Sequence, residues 1–299
     1  MNFIKKNFDF DIKTLSHLRT VGSINKISFP TNVEEVQKSF HFARENGYEP
    51  FILGGGSNTL IGHLKKTLLI SDRNIPTQCE IKDNQVLVSS NININNLINQ
   101  MAQNRLYGLE FLAGLPAHLG GLLSMNAGAY DKNISDYIEW ITVIDEDNEA
   151  IFYKKDLLFG YRTSNIIRSR NLRFPHTGFI GKICLKLDFE TSDNFYTLIK
   201  EKIDFFIHDR EAKHPINDHS LGCFFKNTEK YPAGYLIEHS GLKSYTIGGA
   251  MVSPKHANFL INKGNASFED FINLIDHVKK VVWEKFDVKL ELEVKIVNY

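Results

Sequence analysis

Five glycines (Gly108, Gly114, Gly120, Gly121 and Gly128) crowd residues 108–130, GLEFLAGLPAHLGGLLSMNAGAY, with Pro116 among them. Glycine at this density between apolar residues permits left-handed turns and close approach of backbone to a ligand. Successive N–H groups can then converge on an anion. A buried crossover between two strands is the plainer reading of the same residues. Neither standard nucleotide pattern is met: no Lys-Ser or Lys-Thr follows the glycines, and no G-x-G-x-x-G opens a helix.

A second glycine cluster lies upstream. Thr31 and Glu34 form a capping box for a helix carrying Val36, Phe40 and Ala43 on one face, and Gly47 ends it. Phe51-Ile52-Leu53 is a short buried strand running into Gly54-Gly55-Gly56-Ser57-Asn58, and this turn is richer in glycine than a plain turn needs. Thr59 stands where a dinucleotide fingerprint requires its last glycine, so this too is a different kind of cradle.

The remaining pattern is one of short strands, hairpins and a few helices. Leu68–Ile70 reads as a strand, residues 79–81 and 86–88 as a hairpin about Asp83-Asn84, and Ile94, Leu97, Ile98, Met101 and Ala102 mark an amphipathic helix ending at Gly108. A second hairpin joins 140–144 to 151–153, and Ile180 to Phe189 is a strand. A long helix starts near Asp193, a short one spans 233–240, and Ser267 caps another that turns Phe271, Leu274, Ile275 and Val278 inward. The tail VKLELEVKIV alternates strictly, which predicts a half-buried strand over 288–296 with Glu291 and Glu293 facing solvent. This is an α+β organisation rather than repeated βαβ units.

Thirty-five acidic residues balance thirty-five basic ones, which argues against nucleic acid as the partner because phosphate neutralisation needs a basic surplus. The N-terminal MNFIKKNFDFDIK breaks its apolar residues with charges, and no apolar run reaches membrane-spanning length. Cys79, Cys184 and Cys223 are odd in number and far apart, so neither a disulfide framework nor a metal motif is indicated. A cytoplasmic location follows as the expectation. Two residues stand out chemically. Arg162 sits in FGYRTS ahead of a basic segment with Arg168, Arg170 and Arg173, where a surface charge is the simplest role. Cys223 lies between Gly222 and two phenylalanines, and free cysteine is usually a small buried hydrophobe.

Taken together, ILGGGSN, GLEFLAGLP with GG and MNAGAY, FGYRTS, GCFFKN, AGYLIEHSGLK with VSPKHANFLIN, and LELEV resemble the UDP-N-acetylenolpyruvoylglucosamine reductase family. The likeness runs from about Phe29 to Val297 in the family's motif order, and the short link after Arg162 resembles the compact form. It implies a two-lobed FAD-binding domain on the vanillyl-alcohol-oxidase-like scaffold, followed by an α+β substrate-binding domain. The implied boundaries are 1–64, 65–190 and 191–299, with a C-terminal strand over 288–299 returning to the flavin.

The resemblance implies non-covalent FAD held by Gly54, Gly55, Gly56, Ser57 and Asn58, and by Gly114, Leu115, Pro116, Ala117, His118, Gly120 and Gly121. NADPH is the implied hydride donor and UDP-N-acetylglucosamine enolpyruvate the implied substrate, reduced for peptidoglycan synthesis by a monomer. Arg162, Cys223 and Glu293 match the catalytic positions, with Cys223 where many members carry serine as proton donor. Tyr130, Arg210, Lys213, Asn227 and His256 match substrate-contacting positions. Departures are Ala117-His118 for a usual Gly then Ser or Thr, Gly62-His63 without the customary aspartate, and Thr228 and Ser244 for Pro and Gly. Another oxidoreductase on the same scaffold, or a non-catalytic FAD or nucleotide-sugar binder, remains open from the sequence. The first often carries a histidine in the first glycine turn for covalent flavin, and 54–58 has none. The second has no need of Arg162, Cys223 and Glu293 together.

Overall fold

The computed structural model describes residues 2–6, 11–166 and 178–298; the basic segment containing Arg168, Arg170 and Arg173 lies outside them. In chain order the principal elements begin with α1 (Val33–Glu45), β1 (Glu49–Leu53), β2 (Thr59–Ile61) and β3 (His63–Ser71). Next come β4 (Cys79–Lys82), β5 (Gln85–Ser89), α2 (Ile94–Gln103) and α3 (Leu119–Ser124). They are followed by β6 (Ile138–Ile144), β7 (Glu149–Tyr153), β8 (Phe179–Lys186) and α4 (Phe195–Lys213). The chain then forms β9 (His219–Cys223), α5 (Ala233–His239), β10 (Thr246–Ile247) and β11 (Ala250–Val252). It finishes with β12 (Phe259–Asn262), α6 (Phe268–Phe286) and β13 (Lys295–Val297).

These elements fall into two units that interleave along the sequence. One comprises residues 1–5, 26–55 and 66–209; the other comprises 6–25, 56–65 and 210–299. Two of the five crossings between them fall inside the first glycine turn, at Gly55/Gly56, and within α4, at Asp209/Arg210.

The first unit is built on a five-stranded sheet in the order β7-β6-β8-β5-β4. The β4–β5 hairpin turns at Asp83, which takes a positive φ of 53°. Ile94, Leu97, Ile98 and Met101, at the three- and four-residue spacing of one helix face, set α2 on the same core as Val86, Val88, Ile141 and Ile183. But α2 stops at Gln103, short of the expected Gly108, because Arg105 turns to a positive φ of 58° and Leu106–Tyr107 pairs as strand. A smaller core joins Val36, Phe40 and Ala43 of α1 to Leu68 and Ile70 of β3, and β3 pairs in parallel with β1. The cap of α1 lies one residue beyond the expected Thr31–Glu34 box. Asn32 accepts from the Glu35 N–H at 2.9 Å, and the Glu35 carboxylate reaches back to the Thr31 N–H at 2.7 Å. Both registers satisfy the box pattern, and asparagine is the stronger cap. Glu34, displaced from the box, pairs with Lys38 instead, and that bond holds its carboxyl below the ordinary range.

In the second unit, four antiparallel strands in the order β9-β12-β11-β10 carry α5 and α6. Phe271, Leu274, Ile275 and Val278 are buried as their spacing predicts, against Phe224, Phe225, Leu236 and Ile237. Ser267 and Asp270 form a complete capping box at the start of α6.

The tail differs from its expected single strand over 288–296. Only Lys295–Val297 is regular strand, parallel to β2, and Leu292 makes an isolated antiparallel bridge with Phe225. The segment is extended but changes partner on the way. Lys226 N–H donates to Glu291 O, Glu293 N–H to Phe224 O, and Lys295 N–H to Asn58 O. No one strand accepts the whole ladder, so regular pairing breaks although the side-chain alternation persists. Glu291 is exposed as expected, whereas Glu293 is half-buried.

Candidate active site

Within the first unit the two glycine segments meet at His118. A Cβ added to Gly55 would lie 3.3 Å from His118 Cδ2 and 3.4 Å from its backbone nitrogen. The His118 ring is fixed by Asp72, whose carboxylate oxygens lie 2.9 and 3.1 Å from Nδ1. Asp72 directly follows β3, whose Ser71 pairs with Leu53 at the mouth of the first turn.

The second segment is laced to residues 90–95. Gly114 N–H donates to Asn95 Oδ1 at 2.7 Å, and the Asn95 amide donates to Leu115 O at 2.9 Å. Ile94 N–H donates to Ala117 O, Leu119 N–H to Ile92 O, and Gly120 N–H to Ser90 O. The N–H groups of Gly114 and Gly120 are therefore committed to the protein, and these glycines offer close approach rather than donors. A Cβ on Gly120 would press to 2.8 Å from Ser90 Cβ, whereas one on Gly121 would meet nothing within 4 Å.

Among the described residues, Ser71 Oγ and Asn91 Oδ1 are buried polar atoms without a hydrogen-bond partner. The Asn91 amide donates to Asp72 O and Ile75 O, which ties it to the same corner. Orphaned buried groups of this kind cost free energy unless something satisfies them. Sequence reading missed Ser71, Asp72, Ser90 and Asn91. None belongs to a glycine cluster: the long-range pairing of β1 with β3 brings Ser71 and Asp72 here, and bonds of Ser90 to Gly120 and of Asn91 to Asp72 bring the other two.

Arg162 occupies the two-residue turn of a small hairpin, Phe159–Gly160 with Thr163–Ser164. Its φ is +54°, a conformation L-residues avoid, and its guanidinium donates to Gly128 O at 2.9 Å. The Asn126 amide donates to Gly160 O of this hairpin and the hairpin's Ser164 hydroxyl donates to Ser124 O, so FGYRTS is docked onto MNAGAY. Tyr130, also at positive φ, donates its hydroxyl to Asp209 at 2.5 Å and lays its ring 4.7 Å from that of Phe206. A cavity of about 390 Å³ opens nearby between α4 and Phe111 and Lys132, and none of the expected site residues lines it.

The second unit holds the other candidates. Gly56 O accepts from His17 N–H, and the Asn58 amide donates to Glu293 O at 3.2 Å. Ser57, the residue between them in the same turn, is half-buried. Cys223 ends β9 just past a bulge. Ser220 pairs with Ile261 but Cys223 pairs with Phe259, the extra residue being absorbed where Gly222 takes φ +79°. Such a bulge re-aims the residue after it. Glu293 N–H donates to the carbonyl of Phe224, so the structure brings Glu293 alongside the residue that follows Cys223.

Asn227 accepts from Ala233 N–H at the start of α5. Arg210 is buried at the end of α4, and Lys213, three residues on, is exposed. His256 is half-buried between His214 and Phe259, and its Nδ1 accepts the Asn258 N–H at 3.2 Å. Burial lowers its pKa from the ordinary histidine value, with Lys243 pushing the same way. The other two cysteines belong to the first unit. Burial, reinforced by Glu139, pushes the Cys184 thiol up to about 11, and burial also raises Cys79.

With that geometry in place, the class of protein is defined first by its flavin-binding half: residues 25–152 match the family described as FAD binding domain. Residues 214–297 match the C-terminal domain of UDP-N-acetylenolpyruvoylglucosamine reductase. The reductase of Clostridium tetani is 36% identical over 289 residues, covering 96% of this chain and 90% of that protein. That of Clostridium botulinum is 35% identical over 297 residues, covering 97% and 92%. The solved reductase of Thermus caldophilus superposes with a TM-score of 0.77 at 26% identity, covering 97% of this chain and 98% of its own. The chain belongs to the UDP-N-acetylenolpyruvoylglucosamine reductase family.

The residues present fit FAD. Its hydroxyls and ring N–H groups are donors of the kind the orphaned Asn91 Oδ1 lacks. The bare Cα of Gly121, where a Cβ would meet nothing within 4 Å, leaves backbone open in the same glycine segment as His118. Among the described residues no helix is long and apolar enough to cross a membrane.

Proposed function

We propose that Arg162, Cys223 and Glu293 carry the chemistry by which this chain reduces the enolpyruvyl ether of UDP-N-acetylglucosamine enolpyruvate, giving UDP-N-acetylmuramate for peptidoglycan. The chain is an FAD-dependent oxidoreductase of that reductase family and uses NADPH. When bound, FAD would supply the hydride chemistry that links NADPH to C3 of the enolpyruvyl group.

Hydride addition pushes the double-bond electrons towards the substrate carboxylate as an enolate. The Arg162 guanidinium forks onto those oxygens and stabilises the charge. The Cys223 thiol gives its proton to C2 and is reprotonated from water. Glu293 assists as a protonated acid or through a water, because a bare carboxylate would repel the enolate. The observation that carries this reading is the tie between Glu293 and the GCFFKN segment, Glu293 N–H to Phe224 O beside the bulge at Gly222.

In this reading residues 54–58 and 114–121 hold FAD, which is dissociable since 54–58 contain no histidine. Tyr130, Arg210, Lys213, Asn227 and His256 hold the substrate. Residues 1–64 and 65–190 serve the flavin and 191–299 the substrate, in a monomer working in the cytoplasm.

The test is stopped-flow comparison of the two half-reactions in wild type, Cys223→Ser and Cys223→Ala. Serine should keep substantial turnover. Alanine should slow flavin reoxidation by substrate about 100-fold or more, with reduction by NADPH near normal. An alanine variant that turns over like wild type would reduce Cys223 to packing.

A further inference from the structure

We infer that Asn258 is the positioning residue of this reaction, holding the proton donor Cys223 and the substrate contact His256 in one fixed relation. The inference rests on the proposed role of Cys223. Asn258 is 2% exposed, and its backbone and side-chain polar atoms bond two segments. Its carbonyl accepts the Phe224 N–H at 2.8 Å. Its side-chain oxygen accepts the Phe225 N–H at 3.0 Å, and its amide donates to Phe225 O at 2.8 Å. Its own N–H donates to His256 Nδ1 at 3.2 Å.

The first three bonds grip the two residues that follow Cys223. They matter because the regular pairing of β9 with β12 resumes at Cys223 after the bulge and then ends there, leaving Phe224 and Phe225 outside the ladder. A side-chain amide that mimics a strand's donor and acceptor replaces it. The bridge of Phe225 with Leu292 then carries the same register to the tail bearing Glu293.

The fourth bond sets a tautomer. With Nδ1 accepting a backbone N–H, the neutral ring bears its proton on Nε2, which becomes a donor. Gly234 leaves room for this ring, since a Cβ there would lie 3.2 Å from His256 Cε1. Asn258 thus couples a proton donor on one side to a hydrogen-bond donor on the other, without itself touching the reacting atoms.

The test uses the holoenzyme in wild type, Asn258→Ala, Asn258→Asp, Cys223→Ala and the Cys223→Ala/Asn258→Ala double variant. FAD content and reduction by NADPH report the intact fold, and reoxidation by substrate reports positioning. Asn258→Ala removes both side-chain bonds, which predicts reoxidation slowed roughly tenfold to a hundredfold. Asn258→Asp keeps the shape but sets a carboxylate oxygen against Phe225 O, and should be slowed at least as much. NADPH reduction should stay within about twofold on the same reasoning, because the lost bonds lie at Phe225. If Asn258 acts through Cys223, the double variant reoxidises within about twofold of Cys223→Ala alone.

Normal reoxidation in Asn258→Ala beside a slow Cys223→Ala overturns the inference and leaves the Cys223 reading standing. Additive losses, or equal slowing of both half-reactions, also overturn it. A Cys223→Ala variant with normal reoxidation overturns both.

Discussion

Replacing Gly121 by alanine separates a glycine kept for the fold from one kept for the cofactor. In α3 the added methyl meets no atom within 4 Å and the backbone needs no positive φ, so the protein loses nothing by the change. Helix propensity alone favours alanine by up to about 1 kcal/mol, which raises the melting temperature of the FAD-free protein by roughly 2 °C. Where a ligand lies against the bare Cα, the same methyl is an overpacking defect of about 1–3 kcal/mol. That corresponds to FAD binding weakened roughly fivefold to 150-fold. Gly120→Ala is the contrast. Its Cβ would press to 2.8 Å from Ser90 Cβ and prise apart the pairing with Ser90 O, so it destabilises with or without FAD. The assays are thermal denaturation of the FAD-free proteins and quenching of flavin fluorescence on titration. An unchanged FAD constant in Gly121→Ala would remove Gly121 from the cofactor site.

Arg162→Gly and Arg162→Ala should both slow reoxidation by substrate far more than reduction by NADPH. Because Arg162 sits at φ +54°, the glycine variant should be the more stable of the two by about 1 kcal/mol, read by thermal melting. Equal slowing of both half-reactions would make Arg162 structural. The Asp270 carboxyl is held below the ordinary aspartate range by the Ser267 and Gly249 N–H groups, so its contribution is present above that range and fades as pH falls through it. Asp270→Asn should therefore cost about 1 kcal/mol at neutral pH and converge with wild type in acid; a gap constant with pH would refute the cap's charge.

Local chemistry was legible from the residues. The α2 and α6 faces follow from helical spacing, the hairpins from their turns, and the end of α5 from Gly241, which takes φ +79°. The tail was misread because alternation reports which side chains are buried, not which backbone groups pair. VKLELEV keeps its inward Leu290 and Val294 while its hydrogen bonds pass from residues 224–226 to Asn58. The long-range corner was illegible for a related reason. Asp72 is one acid among many in the sequence, and it gains meaning only when β3 delivers it to His118. Asn258 sits inside VSPKHANFLIN, but its grip on Phe224 and Phe225 lies just past the end of β9, a long-range contact that periodicity does not announce.

The central claim is that reduced flavin in this chain is spent on an enolpyruvyl ether. The direct measurement is anaerobic: reduce the bound FAD with one equivalent of NADPH, add UDP-N-acetylglucosamine enolpyruvate, and follow the return of oxidised-flavin absorbance together with the sugar product. Rapid reoxidation with one UDP-N-acetylmuramate formed per flavin is the expected result. Flavin that NADPH reduces but this substrate leaves reduced would contradict the account.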